Sequence, residues 1–162
     1  MKRSSQIILT SCQNLVNYAR NNHYTVSQGK DMRLEIVDIA WLKQHEEIKP
    51  DRLDEVAEEI TKAEFFYEPI LVDENTGVIL DGHHRFNASL RLGFKRIPAV
   101  MIDYLNDSNI SVDVWPDCGT EHITKQDVLD MAASGRVFPP KTSKHTINLE
   151  IEEIKIPIQE LM

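Results

Sequence analysis

The sequence predicts a single domain of mixed α/β (α+β) structure, and three observations carry that reading. With 162 residues the chain is long enough to bury one core. Short apolar runs of strand type are interleaved with stretches whose apolar residues recur at helical spacing. Gly, Pro and Asn stand at the joins, and neither an internal repeat nor a low-complexity segment interrupts the pattern.

Residues 1 to about 32 are polar and weakly patterned, with helical spacing around "CQNLVNYARNN". They are expected to form an extension or peripheral helix ahead of a domain spanning 33–162. "RLEIVDIAWL" (33–42) alternates as a strand does, Leu34 then Ile36, before turning toward helical spacing. In "QHEEIKPDRLDEVAEEITKAEFF", Leu53, Val56, Ala57 and Ile60 mark one face of a helix. Pro50 suits the approach to that helix, and Asp51 is its expected N-cap.

"YEPILVDENTGVILDG" reads as two short strands, "PILVD" and "GVILD", joined by "ENTG", where Asn and Gly supply a tight turn. "HRFNASLRLG" is the next helix, with Phe86, Ala88, Leu90 and Leu92 available for burial and Gly93 as its stop. "RIPAVMIDYL" is a strand, and "DSNISVDV" (107–114) adds one more. "TKQDVLDMAASG" has a helical pattern opening on Thr124 as a cap and closing on Gly135. "FPPKTSKH" is expected to be an extended loop, and "HTINLEIEEIKI" a final alternating strand.

Composition narrows the function classes. Hydrophobic residues make up 41% and charged residues 27%, ordinary for a soluble globular protein. No apolar run approaches a membrane span, and the apolar patch near the N-terminus is too short for a secretory signal. Cys12 and Cys118 form neither a Cys-x-x-Cys pair nor a zinc spacing, so a reducing cytoplasm is expected. The balance of 18 basic against 26 acidic residues, −8 net, weighs against nucleic acid as a partner.

Three constellations could carry chemistry. In Asp81-Gly82-His83-His84-Arg85, the glycine allows close backbone approach, and the amides of the following helical turn attract an anion. Arg85 adds a fork suited to phosphate, and Asp81 an oxygen ligand suited to Mg²⁺. The alternative is that Asp81 caps the helix and the histidines sit at a solvated turn. In His45-Glu46-Glu47, a carboxylate either favours the dipole of the following helix or takes a proton from a substrate hydroxyl. In "FPPKTSKHTI", the donors of Lys141 to His145 either grip a carboxylate or phosphate or form a basic surface loop. Trp115, near the end of a strand-like run, reads as core more readily than as a ligand contact. Neither G-x-x-x-x-G-K-[ST] nor G-x-G-x-x-G occurs.

"VILDGHHRFNASLRLGFKRIPAVMID" resembles the phosphate-binding motif of the ParB/sulfiredoxin-like fold. With "LKQHEEIKPDRLDEVAEEI" before it and "FPPKTSKHTI" after it, the chain is most similar to the free L-serine kinases of that superfamily, over about residues 33 to 158. Sulfiredoxins carry a catalytic cysteine where this chain has His83. ParB partition proteins carry a Gly-Glu-Arg-Arg type motif and a downstream DNA-binding helical domain, both missing here. The chain looks shorter than those kinases between Trp115 and Thr124.

The resemblance implies a compact ParB/sulfiredoxin-like domain, with a small mixed sheet and flanking helices. It implies phosphoryl transfer from ADP or ATP, with Mg²⁺, to the hydroxyl of free L-serine, giving O-phospho-L-serine. Its catalytic glutamate falls on Glu46, with Glu47 as the neighbouring alternative, and its metal-serving aspartate on Asp81. The nucleotide phosphates fall to Gly82, His83, His84 and Arg85. Serine falls to Thr142 and His145, with Trp115 in the substrate pocket. The rival class is a non-catalytic ParB-like regulator that binds nucleotide or DNA. Glu46 together with the "PPKTSKH" block favours the enzyme, because a binding module needs neither.

Overall fold

A computed structural model describes residues 33–162. The extension or peripheral helix expected over 1–32, with Cys12, lies outside the described residues.

The structural frame is a four-stranded mixed sheet in the order β1-β5-β3-β4. It is built from β1 (Arg33–Asp38), β3 (Ile70–Asp73), β4 (Ile79–Asp81) and β5 (Arg96–Ile102). β1 and β5 are antiparallel, with Leu34 opposite Val100 and Asp38 opposite Arg96. β3 runs parallel to β5, with Ile70 opposite Ala99, and antiparallel to β4 across a register shift between Leu71 and Val72. Every residue of β3 is buried, so Ile70, Leu71 and Val72 form an apolar run and not an alternation, closed by the buried Asp73.

The expected "ENTG" turn joins β3 to β4. Gly77 has φ 76°, and a Cβ there would stand 2.8 Å from the Trp41 carbonyl oxygen, so the turn and its packing both require glycine. As expected, β1 passes into a helical turn, a 3₁₀ segment at Ile39–Trp41.

Among the described residues three α-helices flank the sheet. α1 (Pro50–Ala63) buries Val56, Ala57 and Ile60. Its N-cap is Lys49, not Asp51. Pro50 takes the first helical position, where its missing N–H costs nothing, and this leaves Asp51 inside the first turn, where its charge favours the dipole.

α2 (His83–Arg91) is capped by Gly82 without any side-chain bond, so Asp81 is the last residue of β4 and not a cap. Phe86, Ala88 and Ser89 face inward, whereas Leu90 is 48% exposed. A nine-residue helix against one sheet buries a narrow stripe, and Leu90 falls outside it. Arg91 reaches Asp54, tying α2 to α1.

α3 (Lys125–Ala133) opens on the expected Thr124 cap. Asp127 completes a capping box, donor and acceptor reciprocated at 3.1 and 2.8 Å.

Two small ribbons complete the fold: β2 (Phe65–Phe66) with β8 (Ile156–Pro157), and β6 (Ile110–Val114) with β7 (Ser143–Ile147). The expected final strand is therefore displaced. β7 begins inside the stretch read as a loop, and residues 148–155 pair with no strand. Leu149, Ile151 and Ile154 still pack on the core, which explains the alternation without a ladder. The core holds Phe66, Ile70, Leu71, Ile79, Ile97, Ile102, Ile110, Ile156 and Leu161 at 2% exposure or less. Each such side chain contributes about 1.5–3 kcal/mol of transfer free energy.

Candidate active site

A cleft of about 680 Å³ runs between the start of α2, the face of α1 and the N-terminal half of β7. Its floor at one end is the turn from β4 into α2. Gly82 there has φ 99°, and a Cβ would lie 2.5 Å from Ile70 Cγ2. The glycine is thus demanded by packing and backbone together, whatever approaches from the cleft.

Asp81 stands at the rim with its side chain 54% exposed, its Oδ2 accepting from Arg85 Nη2 at 3.2 Å. The remainder of the Arg85 fork is turned onto protein. Nη1 donates to the Glu68 carbonyl at 2.9 Å and the Pro69 carbonyl at 2.7 Å. Arg85 therefore fastens the entry of β3 to the start of α2 while leaving its positive charge beside the cleft.

The two histidines of the motif hold the segment that precedes α1. His83 Nε2 accepts the amide of His45, and His84 Nε2 that of Lys49, each at 3.3 Å. Both rings accept through Nε2, so their protons sit on Nδ1. Burial holds the His83 pKa well below the usual histidine range, helped by His45 and His145. It lowers that of His84 as well, with Arg52 next in importance. The motif histidines are neutral donors and acceptors and not a cationic patch.

The opposite wall is knitted more densely. The segment 45–47 lies parallel to the stretch before β7. The Phe138 amide donates to the His45 carbonyl at 2.8 Å, and the Glu47 amide to the Phe138 carbonyl at 2.9 Å. Glu46 Oε1 then receives three donors from the beginning of β7: Thr142 N at 3.1 Å, Ser143 N at 2.7 Å and Ser143 Oγ at 2.9 Å.

Ser143 Oγ also lies 3.0 Å from His45 Nε2. Because the hydroxyl donates to Glu46, it accepts from His45, whose proton is on Nε2. His45 is 1% exposed. Burial and the neighbouring His145 bring its pKa down to about 3. Glu47 also lines the cleft but is exposed, with no side-chain hydrogen bond among the described residues.

The structure brings Glu46, Asp81, Gly82, His83, His84, Arg85, Trp115 and His145 to one cleft, but not the Thr142 side chain. Thr142 is buried, and its Oγ1 donates to the Pro139 carbonyl at 2.7 Å. Ser143 faces the cleft instead. Thr142 stands just before β7 with its hydroxyl turned onto Pro139, whereas Ser143, Lys144 and His145 all line the cleft.

Trp115 is half-buried at the cleft edge, with Lys144 Nζ 4.8 Å and Lys141 Nζ 5.7 Å from its ring. It is a wall of the cleft, not the core residue its strand-like setting suggested. His145, at about 4, is neutral through burial and the proximity of Lys125. Its Nε2 lies 2.8 Å from the hydroxyl of Tyr104, a residue the sequence did not single out. The α1 side of the lining combines the apolar and aromatic Val56, Ile60, Ala63, Phe65 and Tyr67 with the charged Arg52, Glu59 and Glu68.

No protein-family model matches the chain. Its fold is that of solved free serine kinases. Superposition on one in complex with AMP gives a TM-score of 0.71 at 19% identity, covering 86% of this chain and 97% of that one. SbnI of Staphylococcus aureus, truncated at its C-terminus, superposes with a TM-score of 0.64 at 15% identity, over 78% of this chain and 88% of that one.

Relatives in sequence carry related names. The chain is 37% identical over 95 residues to an ATP-dependent L-serine kinase of Staphylothermus marinus, 56% of this chain and 37% of the relative. It is 32% identical over 83 residues to the ADP-dependent L-serine kinase SerK of Thermococcus kodakarensis, 49% of this chain and 34% of the relative. It is 45% identical over 83 residues to a ParB-like protein of Sulfolobus acidocaldarius, 51% of this chain and 41% of the relative. The matches thus span about two fifths or less of these relatives' own lengths.

Proposed function

We propose that the chain is a kinase of free L-serine, which moves the terminal phosphoryl group of ADP or ATP onto the serine hydroxyl to give O-phospho-L-serine. The observation that carries this reading is Glu46, a carboxylate fixed by three donors at the wall of a cleft that also holds a helix N-terminus. In a binding module the same carboxylate would serve only to tie the segment 45–47 to the start of β7. A kinase has a further use for it, because the attacking hydroxyl must lose a proton as its oxygen bonds to phosphorus.

The two ends of the cleft suit the two substrates. Val56, Ile60, Phe65 and Tyr67 offer an apolar surface for the nucleotide base. The amides of the first turn of α2 border the cleft, where the helix dipole and the Arg85 charge favour phosphate. Serine occupies the end bounded by Glu46, Ser143, His145 and Trp115. Its Oγ loses a proton to Glu46 as the O–P bond forms, and the bond from phosphorus to the leaving nucleotide breaks. Thr142 supports this end through its backbone amide, which holds Glu46.

Mg²⁺, when bound, neutralises phosphate charge, and Asp81 is the residue placed to hold it. Among the described residues no group of three or more His, Cys, Asp or Glu could hold a metal. A single carboxylate suits Mg²⁺, which takes its other ligands from phosphate and water.

The test is incubation with L-serine, Mg²⁺ and either ADP or ATP, with phosphoserine measured directly. The second reading, a ParB-like regulator that binds nucleotide or DNA, draws on the name of the 45% identical relative. Nucleotide binding with no phosphoserine from either donor, accompanied by DNA binding, would favour it. The net charge of −8 speaks against the DNA arm.

A further inference from the structure

Tyr104 follows β5 and is fully buried, clamped from both sides. Its amide donates to Asp73 Oδ1 at 3.1 Å, and its carbonyl accepts from Lys125 Nζ at 2.8 Å. The same ammonium stands 5.2 Å from the centre of the phenol ring. Asp73 is itself 1% exposed and takes a 2.6 Å bond from Thr76 Oγ1. The phenol so held points at one group, His145 Nε2, at 2.8 Å.

The direction of that bond follows from hydrogen-bond accounting. Among the described residues the Tyr104 hydroxyl has no second partner, so accepting from His145 would strand its own proton in the interior. Burial, with Asp73 behind it, raises the Tyr104 pKa, so the phenol keeps its proton to donate. His145 is neutral and carries a single N–H. With Nε2 accepting, that proton is on Nδ1.

We propose that Tyr104 is a positioning residue: its hydroxyl holds His145 in the Nδ1–H tautomer, so that the imidazole offers the cleft a hydrogen-bond donor for the carboxylate of an amino-acid substrate. The identity of the substrate rests on the kinase reading above, whereas the tautomer does not. A ring in the other tautomer would aim a lone pair at the same carboxylate and repel it. Tyr104 itself touches no substrate and acts through His145.

The experiment is the imidazole nitrogen–proton correlation spectrum of the full chain labelled at histidine, at neutral pH, with His145→Gln identifying the His145 signals. In the wild type His145 shows a protonated Nδ1 and an unprotonated Nε2. In Tyr104→Phe the proton moves wholly or partly to Nε2. The KM for serine rises about tenfold in that variant, from a weakened hydrogen bond to a charged group, while the KM for nucleotide stays within about twofold. A wild-type His145 protonated at Nε2, or a Tyr104→Phe spectrum unchanged at His145, overturns the proposal. So does a loss spread equally over serine and nucleotide. If Tyr104→Phe fails to fold, the wild-type spectrum still decides. A wild-type chain that forms no phosphoserine would sink the kinase reading and leave the tautomer to be judged by the spectrum.

Discussion

The two walls of the cleft are built on opposite terms. At the β7 wall, Glu46 receives three hydrogen bonds on one oxygen, and the hydroxyl that supplies one of them also accepts from a buried histidine. At the α2 wall, Asp81 is over half exposed, and the arginine beside it spends most of its fork on backbone carbonyls. One wall holds a side chain in a single orientation. The other presents a helix end and a carboxylate to whatever charge arrives. On the kinase reading proposed above, the first wall would serve as the proton acceptor and the second as the electrostatic cradle.

The largest effect is expected at the rigid wall. Glu46→Gln keeps an oxygen for the donors of β7 but accepts no proton, and turnover should fall by about 10²–10⁴-fold with nucleotide binding nearly unchanged. Glu47→Gln should be mild, because that side chain is exposed and bonded to nothing in the cleft. Single-turnover phosphoserine formation, with calorimetric binding of each ligand, compares the two. A dead Glu47→Gln beside an active Glu46→Gln would move the base by one residue.

At the open wall, Asp81→Asn should cost about 10²-fold in turnover, from several kcal/mol of charge stabilisation at the metal. The melting temperature should barely change, since the carboxylate makes only a rim contact with Arg85. Full activity at saturating Mg²⁺ would reduce Asp81 to a partner of Arg85.

The buried histidines of the β7 wall should make the fold acid-sensitive. An unfolded histidine takes up its proton below about pH 6.5, whereas in the folded chain His45 waits until about 3 and His145 until about 4. The unfolded state therefore binds more protons throughout that window, and stability is lost as pH falls from 6.5 toward 4. Each histidine contributes a slope of up to about 1.4 kcal/mol per pH unit. Urea titrations at pH 7, 6 and 5 measure it, and a flat profile would mean that these rings are solvated. His45→Gln should flatten the curve.

The smallest effect is expected for Arg85→Lys, which keeps the charge but loses the fork. Because that fork bonds Glu68 and Pro69, the variant should lose about 1–2 kcal/mol of stability, with nucleotide affinity falling less than in Arg85→Ala. Equal affinity in both variants and the wild type would remove Arg85 from the cradle.

Local chemistry alone determined much of this chain. Pro50 opening α1, the Thr124–Asp127 box, the "ENTG" turn and the stop at Gly93 depend on residues a few positions apart, and each works wherever the segment lies. So do the apolar face of α1 and the three motif blocks, which are contiguous in sequence. What only the tertiary structure decided involves partners far apart in the chain. Glu46 meets Thr142 and Ser143 across 96 and 97 residues, and Tyr104 meets His145 across 41. No periodicity encodes such pairs. That Glu46, and not Glu47, receives the donors of the β7 wall was decided when the segment 45–47 paired with the stretch before β7. That Ser143, and not Thr142, presents its side chain to the cleft was decided by where the start of β7 lies beside Glu46. Arg85 took backbone carbonyls because the entry to β3 lies within its reach, a proximity created only by closing β3 onto β4. Hydrogen bonds of this kind form between groups that folding brings together, and so they follow the topology of the sheet, not the order of the residues.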